Sequence, residues 1–364
     1  MILYIAIATF FMIWLCYDTA KKETVERSYP APLLKKRIFV LNNYHLALFC
    51  LWFFCLLTAL RSAKIGNDTQ NYINAFQKFN QTGIDKKSGM EIGFQYLCIL
   101  LGKISQDPQI LLIACALICY IGIGVYVIKY SNNIVFSLVL VVCWCLSIFT
   151  NYLRQNIAMI IVLFAYQGIK SKKYILPILL IALASTFHTS ALIAYCLFLH
   201  KLLPYKWYYV VAIAIICAVL SLTGAWTELI RMILEEYEHY FGGRYENSGW
   251  LASSVYFIRN AFFYLLVYFV YKNNLKAHSV ELANFFLLFV IGSLGFMMNL
   301  FDRGSMYFLL IAITELPNAV SQLKKEKSLI TILICTALIG YFLAVLIFRP
   351  SWNYLYPYRF FWQS

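Results

Sequence analysis

Apolar runs of roughly 17–25 residues recur along the chain, separated by short polar stretches, and each is long enough to cross a bilayer as an α-helix. They fall near residues 1–17, 39–60, 108–128, 133–150, 155–169, 207–222, 255–271, 281–300, 304–320 and 328–348. A further run, 174–203, would be about 45 Å long as one helix, too long for a bilayer unless strongly tilted. It reads as two short helices broken near Phe187-His188-Thr189. The pattern predicts an all-α fold: a polytopic transmembrane helical bundle of about twelve spans, forming a single integral membrane domain over residues 1–364.

The polar stretches orient the bundle. Lys21, Lys22, Arg27, Lys35, Lys36 and Arg37 crowd into residues 18–38, and basic loops are retained in the cytoplasm. The first run lacks a convincing small-residue cleavage site and carries its positive charge behind it, so it reads as an uncleaved span with its N-terminus outside. The second span then delivers Arg61 to the outer side, opening an external loop over 61–91. Within it, Tyr72, Ile73, Phe76 and Phe79 share one helical face, while Asn74, Gln77 and Lys78 lie on others. That periodicity predicts an amphipathic helix lying in the membrane interface, with Asp68 placed to cap its start. The apolar piece 92–102 is too short to span. A larger external loop is expected over 223–254.

Composition narrows the class. Only 13% of residues are charged and 62% are hydrophobic, and no polar stretch is long enough to build a separate soluble domain. The net charge of +14 does not point to nucleic acid, because the basic residues are spread over short inter-span loops. The eleven cysteines all lie in apolar segments without metal-ligand spacing, and read as small buried apolar residues. The cations divide by type. Most lysines fall on the inner side, whereas Arg61, Arg154, Arg231, Arg244, Arg259, Arg303, Arg349 and Arg359 fall at or beyond outer span ends. The positive-inside rule does not account for these arginines. A guanidinium offers a planar fork to phosphate and keeps its charge, so the cluster suggests a phosphate-bearing lipid head group on the outer face.

Four polar groups stand at outer span ends: Arg61 with Gly66, Asp68 and Tyr72; Arg154-Gln155; His188 with Ser190; and Asp302-Arg303. Each has a structural alternative. Arg154 can snorkel or cap a helix, Asp68 can be only an N-cap, His188 can be a satisfied side chain in a helix break, and Asp302-Arg303 can be a local ion pair. Ionisable groups at membrane depth nevertheless tend to mark function, and here four converge on one face.

These residues resemble the EpsG family of polysaccharide-assembly membrane proteins, related to the Wzy O-antigen polymerases, over about residues 50–320. Arg61, Gly66, Asp68 and Tyr72 match its early R…G-x-D-x-x-x-Y stretch. Arg154, Gln155 and Ala158 match an R-Q-x-x-A helix opening, and Phe187, His188, Ser190 and Ala191 match an F-H-x-S-A break. Arg303, Tyr307 and Phe308 resemble its later arginine motif. The resemblance implies a GT-C-like bundle in a bacterial inner membrane, with its active site facing the periplasm. It implies an enzyme that joins oligosaccharide repeat units carried on undecaprenyl diphosphate, so that a lipid diphosphate leaves. Such an enzyme works among membrane lipids, beside the chain-length regulator and flippase of the same pathway.

The leaving diphosphate needs a metal ion or arginines to take up its developing charge. The sequence offers no Asp-x-Asp motif and no external carboxylate pair with ligand spacing. The expected site is therefore metal-independent and cofactor-free, with Arg154 and Arg303 on the diphosphate and Arg61 as a third contact. Asp68 and His188 are the alternative bases for the acceptor hydroxyl. Tyr72, Gln155 and Ser190 are expected to contact or orient sugar, and external aromatics such as Trp226, Tyr237, Trp250 and Trp352 either stack on sugar or sit in the membrane belt. The rival readings are an O-antigen ligase, a lipid-linked oligosaccharide flippase, and an acyltransferase using His188. No histidine–aspartate pair at helical spacing supports the last.

Overall fold

The computed structural model describes residues 1–28, 33–203, 205–223, 250–294, 299–323 and 326–363. Most of the expected 223–254 loop, with Trp226, Arg231, Tyr237 and Arg244, lies outside the described residues, as does the side chain of Trp250. The described elements are helical: α1 (Ile2–Ser28), α2 (Leu33–Ala59), α3 (Thr69–Thr82), α4 (Ile92–Gly102), α5 (Gln109–Tyr130), α6 (Ile134–Leu140), α7 (Leu146–Asn151), α8 (Leu153–Lys170) and α9 (Ile175–Phe187). A 3₁₀ helix, Thr189–Lys201, follows, and then helices at Tyr208–Thr223, Trp250–Tyr271, Ser279–Leu294, Asn299–Ser321 and Lys327–Phe348. A π-helical turn, Val141–Cys145, joins α6 to α7.

Five of these helices are long and apolar enough to cross a membrane: Ile2–Lys21, Gln109–Tyr130, Ile134–Asn151, Ser254–Asn274 and Lys327–Phe348. The fold is thus that of a helical membrane protein. The expected count of about twelve spans is not reached by length and composition. Among the described residues, the apolar stretches Asn43–Ala59, Ile175–Phe187 and Ser279–Leu294 fall short of the required length, and Ile92–Gly102 is too short to span, as expected. The break expected near residue 188 falls at His188, between α9 and the 3₁₀ helix.

The chain forms two compact units. The first comprises Met1–Ile161, Leu183–Thr189 and Val320–Ser364, and the second Val162–Ala182 and Ser190–Ala319. In the first, α2 packs along α5, and α1 packs on Lys327–Phe348 with Tyr4 edge-on to Phe342 at 6.2 Å. In the second, Trp250–Tyr271 packs on Ser279–Leu294, where Tyr264 lies 5.5 Å from Phe286. That unit also holds the partly buried Lys170 ammonium 3.0 Å from Glu315 and 3.1 Å from Glu281. The arrangement pairs two buried carboxylates with one cation.

The α3 helix requires a correction. Its amphipathic pattern is as expected, but its apolar side is covered by protein. Tyr72, Phe76 and Phe79 are buried in one cluster with Phe94 and Cys98 of α4, Leu111, Leu112 and Cys115 of α5, and Leu153 and Ile157 of α8. Burying each of these aromatic side chains is worth on the order of 1.5–3 kcal/mol. The face expected to lie in lipid is therefore committed to the core, and α3 is not a free interfacial helix. Its end is set by Gly83, whose backbone N–H bonds Phe79 O at 3.0 Å and whose φ of +75 favours a residue without Cβ.

Candidate functional site

The loop before α4 is built around one buried amide. Gln95 donates to Asp85 O, Ser88 Oγ and Met90 O at 3.1, 3.0 and 2.7 Å, and accepts from Asp85 N–H at 2.9 Å. This holds the loop so that Glu91 stands at the N-cap of α4 in an extended conformation. Its carboxylate does not cap its own helix but reaches across to two other elements. It forms a salt bridge with the Arg154 guanidinium at the start of α8. It also accepts from His188 Nδ1 at 2.9 Å and from the Thr189 backbone N–H at 3.0 Å. Tyr72 of α3 hydrogen-bonds Arg154 and packs edge-on against Phe94 at 5.6 Å. Glu91, Arg154 and His188 are each partly exposed at 15%, 20% and 22% of their side-chain area, so the cluster reaches the protein surface.

Burial alone would raise the Glu91 pKa. The His188 hydrogen bond, the charges of Arg154 and His188 and the Thr189 amide outweigh it and hold the carboxyl at about 2. An ionised carboxylate can only accept, so His188 Nδ1 carries the proton, and in the neutral imidazole Nε2 is left as an acceptor. Nε2 has no hydrogen-bond partner among the described residues. Arg154 Nε is buried without a hydrogen-bond partner among the described residues. A histidine whose tautomer is fixed by a carboxylate can take a proton from a hydroxyl, and a neighbouring guanidinium can stabilise the negative charge that develops.

A close approach brings the two strands of this cluster together. A Cβ on Gly93 would lie 2.5 Å from Thr186 Oγ1 and 2.8 Å from Thr186 O, so glycine lets α4 meet the end of α9. Gly93→Ala is expected to push these helices apart and cost roughly 1–3 kcal/mol. Thermal unfolding in detergent checks this, and Thr186→Ala is not expected to rescue it, because the backbone carbonyl still clashes.

The expected site residues distribute as follows. Tyr72, Arg154 and His188 come together. Gln155 is buried within α8. Asp68 occupies the N-cap position of α3, half-buried, but its side chain makes no capping bond, which corrects the expected cap: its backbone sits at φ −110, ψ 2 rather than in the extended geometry a capping residue adopts. Arg61 is fully buried. Its guanidinium donates to Thr58 O and to Thr150 O at 3.2 Å, so it braces two helix ends instead of facing an outside phosphate. Gly66 supports the same packing: at φ +89, a Cβ there would lie 2.7 Å from Thr150 O. Ser190 and Arg303 belong to the second unit, where Ser190 Oγ is 3.0 Å from Tyr307 Oη.

Sequence reasoning missed Glu91. Its signal was a lone carboxylate immediately before an eleven-residue apolar helix, where negative charge is favoured by the helix N-terminus. Among comparisons with known proteins, the description "EpsG family" matches residues 43–360. No curated protein and no solved structure matches the chain.

Proposed function

The chain belongs to the EpsG family, and from that premise we propose that it is a polysaccharide polymerase acting on lipid-linked oligosaccharides at the outer face of a bacterial inner membrane. The observation that carries the reading is the joining of Arg154 and His188 through Glu91. In the proposed reaction a hydroxyl of the incoming repeat unit attacks the anomeric carbon of the growing chain. Its proton passes to His188 Nε2, the C1–O bond to the diphosphate breaks, and the electron pair leaves with the lipid diphosphate. Arg154 takes up the charge developing on the leaving oxygen, and Glu91 holds His188 in the accepting tautomer. Of the two candidate bases, this geometry favours His188, because among the described residues no side chain orients Asp68, which makes no capping bond either. Arginine on the diphosphate makes the site metal-independent. Undecaprenyl diphosphate is the carrier expected for such a substrate.

Deleting the gene and analysing lipid-linked and finished glycans tests this reading. The expected result is single repeat units that still reach the final acceptor, with no long chains. Long chains stranded on lipid diphosphate would instead identify a ligase. Repeat units trapped on the inner side would identify a flippase.

A further inference from the structure

With its apolar side buried in the core, α3 turns a polar side outward, and the chemistry of that side is unusual for a helix at a membrane. Gln70, Asn71 and Asn74 are exposed, and Lys78 is the one charged residue in Thr69–Thr82. A helix that binds lipid head groups carries several basic residues on its polar face. Carboxamides instead both donate and accept, which matches neighbouring hydroxyls on a sugar ring. Gln70 Nε2 donates to Asn74 Oδ1 at 2.9 Å, so two of these amides are already oriented.

The segment after Phe348 packs on the turn that leads into this helix. It is strapped to the turn preceding α3 by Ser62 N–H to Arg359 O at 2.9 Å, Phe361 N–H to Leu60 O at 3.0 Å and Gly66 N–H to Tyr354 O at 3.3 Å. Asn67, one residue before Asp68, donates its side chain to Trp352 O at 2.8 Å. Tyr354 is held at φ +45, a conformation that a bulky residue keeps only where its surroundings impose it. The backbone of the strap is therefore held in place, and its residues Trp352 and Tyr354 are 36% and 40% exposed, with the Arg349 guanidinium over one face of the Trp352 ring, 5.7 Å from its centroid. Flat aromatic faces and exposed amides together suit a pyranose, which offers a C–H face to stack and hydroxyl edges to bond.

We propose that the amide face of α3 and the aromatic strap form one carbohydrate-binding surface that holds the glycan beside the Glu91 cluster. The identity of that glycan as the growing polymer rests on the polymerase reading; the binding itself does not.

The test uses the full chain in phosphatidylcholine nanodiscs. The probe is a set of lipid-free oligosaccharides released by mild acid from the polymer of the strain that encodes the protein, with binding read by saturation-transfer NMR. Weak binding, with Kd in the region of 1 mM, is expected for the natural chain. Asn71→Ala/Asn74→Ala is expected to weaken it by about fivefold or more. Trp352→Phe should retain binding and Trp352→Leu should lose it, since leucine keeps apolar area but not a flat ring. The Asn67 contact uses the Trp352 backbone, so the strap survives both changes, and unchanged thermal unfolding verifies this. Equal binding by all variants, no binding by the natural chain, or full binding by Trp352→Leu with weakened membrane association overturns the proposal; the last result assigns the strap to the bilayer. If fragments bind in the expected pattern but gene deletion leaves polymer length unchanged, the surface stands and the polymerase reading fails.

Discussion

Glu91→Gln is expected to lower polymer formation by about a hundred- to a thousand-fold while leaving the chain folded. The carboxamide keeps the volume and can still accept from His188 Nδ1 and from the Thr189 amide. It loses the charge that pairs with Arg154, and its NH₂ group sets a donor against a donor. Glu91→Ala is a poorer test, because stripping a partly buried cation of its partner costs on the order of 3–5 kcal/mol in stability. Polymer length in a complemented deletion strain, with membrane-inserted protein quantified in parallel, gives the result. Normal polymer from Glu91→Gln would remove the cluster from the reaction. The pH dependence adds a second readout. The carboxyl is held at about 2, below about 4.3 for a free glutamate. The folded-state value is depressed, so the stabilisation is fully present above the free value and is lost as pH falls through the folded one. It amounts to on the order of 3 kcal/mol. Acid unfolding should therefore steepen between about pH 4.3 and 2 in the natural chain and flatten there in Glu91→Gln. Between about pH 5 and 8 Glu91 stays ionised, and a rate profile in that range reports other groups.

The contrast between Glu91 and Arg61 shows where the sequence was legible. Helices such as Ile92–Gly102 and the break at His188 follow from the length and spacing of apolar runs, which are local properties of the chain. The face of α3 was legible as a periodicity, but what covers it was not. The cover comes from α4, α5 and α8, and nothing in Thr69–Thr82 distinguishes a protein neighbour from lipid. Arg61 looked like an external cation because it follows a span. It is buried because Thr150, 89 residues away, supplies a carbonyl, and because residues 353–361 return to pair with the same turn. Glu91 was passed over for the converse reason. Its partners lie 63 and 97 residues further along, and a single carboxylate between a loop and an apolar helix carries no motif. Asp68 sits inside a recognisable pattern and Glu91 does not, yet it is Glu91 that joins Arg154 and His188.

Arg154→Lys separates charge from shape at the second key position. Lysine preserves the positive charge and can still pair with Glu91, but it offers a point charge where the guanidinium offers a fork. Arg154 uses one side of that fork on Glu91 and another donor on Tyr72, and its buried Nε has no hydrogen-bond partner among the described residues. The remaining donors are what a diphosphate oxygen would meet. Losing a preorganised donor to a developing oxyanion costs about 2.7–4 kcal/mol. Arg154→Lys is therefore expected to lower kcat by about a hundredfold or more, with a smaller change in KM for the lipid-linked donor, because the interaction strengthens only as the C1–O bond breaks. Arg154→Ala should be worse, since it also leaves Glu91 with His188 as its remaining charged partner. Tyr72→Phe supplies the control. It removes the hydroxyl that bonds Arg154 but keeps the ring against Phe94, so a loss of about tenfold is expected if the guanidinium must be held in one orientation. Reconstituted protein with purified lipid-linked repeat units gives both constants. A rise in KM at constant kcat for Arg154→Lys would assign the arginine to ground-state binding and move charge stabilisation elsewhere.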